Sequence, residues 1–147
     1  MQCLHLVTGE NYEKSMRKDI ATKWVAALRS GHYKQATGRL ESLHSVHGSS
    51  YCCLGVLCTL ALQEGKTSRK VSDYGDEGLY GDEGLYGYDS NNSSSLPSEV
   101  REWAGAKSSD GNFRLSESKT TSLAAMNDYG ATFEQIACYI EQYQETL

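Results

Sequence analysis

Tyr51-Cys52-Cys53-Leu54-Gly55-Val56-Leu57-Cys58-Thr59-Leu60-Ala61-Leu62 is the stretch on which the fold turns. It is the long apolar run of the chain, and it holds three of the five cysteines. A short apolar run can be a buried strand, but one of about twelve residues reads as a helix buried on every side. Gly65 ends it, and Gly55 in its middle leaves room for another backbone to come close. The three thiols then behave as small hydrophobes, since free cysteine is among the most buried residue types.

On the N-terminal side, Met16, Ile20, Trp24 and Leu28 recur every fourth residue with Ala21 and Val25 beside them. This predicts an amphipathic helix over 15–30, stopped by Gly31 after the cation Arg29. Residues 32–43 read as extended or turn, 44–50 (HSVHGSS) as a loop, and 1–13 as a loose arm or edge strand. On the C-terminal side, YGDEGL at 74–79 repeats at 80–85, with a third start at 86–88 and a tail of SNNSSS. A period of six in two copies is no solenoid. The stretch 66–95 therefore reads as a flexible insertion loop.

Beyond it, Leu96–Trp103 predicts a short helix with Pro97 near its start and Gly105 after its end. Phe113–Leu115 reads as a strand and Thr120–Met126 as a helix closed at Asn127–Gly130. Thr132 and Gln135 form a capping box for the last helix, whose core face is Phe133, Ile136, Ala137, Ile140 and Tyr143. The expectation is one mainly α domain over 1–147, with α+β as the alternative. It has short extended segments and one long Gly/Asp/Tyr-rich loop.

Hydrophobic residues make up 39% of the 147 and charged ones 22%, the balance of a globular chain. No window approaches eighteen apolar residues, and Met1–Val7 is too short for a signal peptide, which points to the cytoplasm. In a reducing compartment the thiols are expected to stay free. Residues 1–70 hold ten Lys/Arg against five Asp/Glu, and 71–147 hold four against fourteen. Two such halves attract if they face each other, and the basic one can meet an anionic ligand. Residues 120–147 hold no Lys or Arg, so the last two helices lack the phosphate contacts of a DNA reader.

Three chemistries compete for the cysteine run. A nucleophile would be Cys52 or Cys53 with His44 or His47 as base, and Cys53-Leu54-Gly55-Val56 resembles the helix start of NlpC/P60-type cysteine peptidases. In that family the histidine lies downstream, whereas all four histidines here precede Cys52. A zinc site from His44, His47, Cys52, Cys53 and Cys58 has the donors but not the paired knuckle spacing, so no metal is expected. Core packing is the preferred reading, which leaves a non-enzymatic role and no cofactor. A ligand site is better sought at Arg29-Ser30-Gly31-His32-Tyr33, with Lys34, Arg39 and Tyr51 added. A cation, a flexible glycine and aromatic rings are the groups that hold a phosphate and stack a base.

Four motifs in order carry a resemblance: W-V-A-A-L-R-S-G-x-Y-x-Q at 24–35, YCCLGVLC at 51–58, LP with WAG at 96–105, and M-N-D-x-G-x-x-F-x-x-I-A at 126–137. Together they resemble a group of small bacteriophage and prophage proteins. The resemblance implies an accessory protein of the host bacterial cytoplasm that antagonises antiviral defence, with sequestration of a nucleotide immune signal as one form. The ligand residues would be Arg29, Tyr33, Lys34, Arg39 and Tyr51. It also implies a host defence protein as another partner, and a homo-oligomer. The alternatives from other classes are a cysteine-dependent hydrolase and a structural or host-protein-binding module.

Overall fold

The structure is a computed structural model that describes residues 15–81 and 94–147. Helix α1 (Lys18–Arg29) leads to the hairpin β1 (Glu41–His44) and β2 (Gly48–Tyr51). Helix α2 (Cys53–Gln63) follows, then the hairpin β3 (Arg69–Val71) and β4 (Gly78–Tyr80). After α3 (Ser98–Ala104) come the hairpin β5 (Asn112–Ser116) and β6 (Lys119–Ser122), helices α4 (Leu123–Asp128) and α5 (Phe133–Tyr143), and a closing 3-10 turn.

Helix α2 is the hub. Cys53 through Cys58 and Ala61 are buried, as a helix apolar on all sides must be. Its Gly55 lies against the backbone of Leu40, where a Cβ would stand 1.8 Å from the Leu40 carbonyl oxygen. From α1, the Trp24 indole donates to the Cys53 carbonyl at 2.9 Å, so the ring is both buried and satisfied. Helix α5 packs Phe133, Ile136, Ala137 and Ile140 into the same core and starts with the Thr132–Gln135 capping box. Gly105 closes α3 at φ 72°, a left-handed conformation that glycine adopts without strain.

The mainly α expectation is corrected: three two-stranded antiparallel sheets accompany the helices, and the domain is α+β. Strands of three to five residues made of Glu-Ser-Leu-His or Gly-Ser-Ser-Tyr show little apolar alternation. Their order comes from pairing, which the periodicity of one segment does not show. Within the predicted loop 44–50, His44 thus ends β1 opposite Gly48, residues 45–47 form the turn, and 48–50 belong to β2. Residues 119–122 are strand, so α4 begins only at Leu123. The predicted loop at 66–95 contains the β3–β4 hairpin, and β4 runs from the end of the first YGDEGL copy into Tyr80 of the second. The repeat from 82 on, like the predicted arm at 1–13, lies outside the described residues.

The first two hairpins join into one surface. Ser42 bridges Glu77, and the Leu43 amide donates to the Asp76 carbonyl at 2.9 Å. Among the described residues no helix is long and apolar enough to cross a membrane.

Candidate ligand-binding site

Residues 30–38 connect α1 to β1 without regular structure, and their backbone is held by the end of β2. Tyr51 donates its amide to the Lys34 carbonyl and accepts from the Ala36 amide, both at 2.8 Å. This pairing brings the Tyr33 and Tyr51 rings edge to face, centres 5.5 Å apart at 81°. Two half-buried rings at right angles make an aromatic corner.

The corner is fixed from below by a buried amide. The Asn127 side-chain oxygen accepts from Gln35 Nε2 at 2.9 Å and from the Cys53 amide at 3.2 Å. Its Nδ2 donates to the Ala36 carbonyl at 2.8 Å. Gln35 also donates to the Ala131 carbonyl, and Asp128 accepts from the Gly38 amide at 2.9 Å. Asn127 thus ties 35–36 to the start of α2, while Gln35 and Asp128 extend the network to the turn after α4 and to Gly38. The sequence marks Asn127-Asp128 only as a helix stop; its signal as a hub is that a neutral amide sits inside an apolar stretch.

Behind Tyr51 lies a buried carboxylate. Glu41 is 1% exposed and accepts from Arg69 Nε and Nη2 at 2.7 and 2.9 Å and from the Tyr80 hydroxyl at 3.0 Å. Burial alone would push its carboxyl up; the Arg69 guanidinium and the hydroxyl donors around it outweigh that and hold it below its ordinary value. Burial, followed by the Glu41 charge, raises the Tyr51 phenol, and burial with the same charge raises Tyr80. These groups lock the two hairpins behind the corner. No spacing rule links Glu41 to Arg69.

The structure brings Tyr33, Lys34 and Tyr51 together and sends Arg29 and Arg39 elsewhere. Arg29 reaches across to α5, pairing with Glu134 at 3.1 Å and with Glu141. Arg39 pairs with Asp76 at 3.3 Å and Glu77 at 3.5 Å in the neighbouring hairpin. Lys34 is exposed and has no ion-pair partner among the described residues. Tyr129, which sequence reading passed over, is 91% exposed on the turn that Gln35 bonds.

The thiols are core. Cys52 is 4% exposed and burial pushes it up to about 11, despite the Gly55 and Leu54 amides that favour its thiolate. Burial raises Cys53 and Cys58 as well, and the Cys53 thiol lies 3.5 Å from the Leu123 carbonyl. A nucleophile must be a thiolate, so these sites disfavour it. His44 and His47, offered as its base, stand exposed on the β1–β2 turn. Cys138, on α5, is disulfide-bonded, which departs from the expectation that every thiol stays free. Among the described residues no group of three or more His, Cys, Asp or Glu is placed to share a metal ion.

Residues 16–144 match a family model described as a domain of unknown function (DUF8296). No curated protein and no solved structure matches the chain.

Proposed function

The chain belongs to the DUF8296 family, and we propose, on the resemblance of its four motifs to small phage proteins and on the geometry of its own residues, that it is a phage-type accessory protein that works by binding. On this reading it antagonises host antiviral defence from the bacterial cytoplasm, by capturing a nucleotide-type signal on the corner of Tyr33, Tyr51 and Lys34. The observation that supports it most is the edge-to-face ring pair, with the exposed Lys34, which has no ion pair among the described residues, next to Tyr33 in the chain. A ring face stacks any base, worth about 1–3 kcal/mol per base, and a lysine supplies a mobile point charge for a phosphate. The hydrogen bonds of Gln35 and Asn127 pre-organise the backbone that carries the corner, which lowers the ordering cost of binding. Arg29 and Arg39, engaged by acids, are assigned to holding the fold instead.

The test is incubation of the protein with cyclic nucleotides and ADP-ribose derivatives, followed by heat release and chromatography of what is recovered. A ligand depleted from solution and recovered intact supports capture. A converted product points to the hydrolase alternative, and no depletion by any compound overturns the proposal. Tyr33→Ala and Lys34→Glu should each abolish depletion, and Cys52→Ala should leave it.

A further inference from the structure

The turn that joins β1 to β2 presents two imidazoles that neither the core nor the aromatic corner uses. His44 closes β1 opposite Gly48, and His47 is the residue before that glycine. Their rings lie 6.4 Å apart, centre to centre, at 67°. Both side chains are exposed, and neither has a hydrogen bond or ion pair among the described residues. Gly48 takes φ 75°, so the turn that spaces the two rings is set by a backbone conformation open to glycine. The cysteines that the sequence offered as their companions are buried at the start of α2 and within it, so the imidazoles stand as a pair.

We propose that His44 and His47 form a two-imidazole site for a late first-row transition-metal ion, with water in its remaining positions. Imidazole suits zinc, copper and nickel among the divalent ions. A metal sits about 2.1 Å from each coordinating nitrogen, so two ring centres on one ion are at most roughly 6.5 Å apart and come closer as the angle at the metal bends. The 6.4 Å seen here stands at that straight-line limit, and a tetrahedral or cis angle at the metal needs the centres at roughly 4.5–5.3 Å. Rotation of the two exposed side chains supplies the difference, because neither ring has a bond among the described residues to give up. Two ligands on one rigid turn bind as a chelate, and a site this open is expected to exchange its ion readily.

The experiment is titration of the full chain with Ni2+ alone, read by calorimetry and by paramagnetic broadening of backbone amide signals. Broadening should begin at residues 44–48. His44→Ala and His47→Ala should each weaken binding by about tenfold or more, because even an outer partner of a metal ligand is worth that much and these are the ligands themselves. His32→Ala, which removes another exposed imidazole, should leave affinity unchanged. Equal affinity in either hairpin variant, broadening centred elsewhere, or no binding would overturn the shared site.

Discussion

At the residue scale, Gly55 and Asn127 do more than their neighbours. Gly55 has no unusual backbone angle; it is small because Leu40 passes over it, with the carbonyl oxygen at 1.8 Å and the carbonyl carbon at 2.7 Å from where a Cβ would sit. The obstacle is backbone rather than a flexible side chain, and Leu40 is itself fully buried. Gly55→Ala must therefore displace the segment that leads into β1, and should lower stability by about 3 kcal/mol, the upper part of the overpacking range. Urea denaturation measures this, and a loss below 1 kcal/mol would mean that the segment yields easily. Asn127 is different in kind. Replacement by Leu, of similar size, leaves the buried Cys53 amide and Gln35 without their acceptor, and each such loss costs about 1–3 kcal/mol. Asn127→Leu should also broaden the amide signals of residues 33–38, since it removes the donor to the Ala36 carbonyl.

At the element scale, the two N-terminal hairpins depend on a pair of opposite charges. Removing one member of a buried pair typically costs 3–5 kcal/mol; Arg69 keeps about a quarter of its side chain in water, so Arg69→Ala should cost about 3. The Glu41 carboxyl is held below its ordinary value in the folded state, so the unfolded chain binds its proton first as pH falls. Its contribution is complete at neutral pH, starts to fall near the ordinary glutamate value of about 4.3, and is lost as pH drops through the lower native one. Glu41→Gln should flatten the stability profile below about pH 4.3 relative to the unaltered protein, as measured by thermal melts across pH. These hairpins are also where sequence reading was weakest. The helices announced themselves through a period of four in α1, an unbroken apolar run in α2 and a capping box in α5, all of which are local signals. Arg69 and Tyr80 are polar residues 28 and 39 positions from Glu41, brought to it by the cross-pairing of the two hairpins at Ser42–Glu77 and Leu43–Asp76. For the same reason the ligand residues were half legible. Tyr33, Lys34 and Tyr51 converge because β2 returns beside 34–36, whereas the acids that engage Arg29 and Arg39 come from segments far along the chain.

At the scale of the whole molecule, the uneven charge of the two halves becomes a set of cross-links. Arg29 meets Glu134 and Glu141, and Arg39 meets Asp76 and Glu77, so the surplus cations of the first half close on the surplus acids of the second. Arg29 matters most among them, because a single guanidinium spans two carboxylates one α5 face apart and joins the first long helix to the last. A residue engaged in this way separates the structural from the ligand-binding use of positive charge. Arg29 is about a third exposed, so screening holds its worth near the top of the surface range, about 1 kcal/mol. Arg29→Gln should lower stability by that amount in dilute buffer and by less at 1 M salt, where the screening length falls to about 3 Å. Nucleotide capture should survive it. Lys34→Gln should do the reverse, leaving the melting temperature in place and weakening capture, because its ammonium has no ion pair among the described residues. Measuring both properties for both variants gives four values, and their crossing is the diagnostic. Loss of capture in Arg29→Gln with stability intact would move the phosphate site from Lys34 to the end of α1.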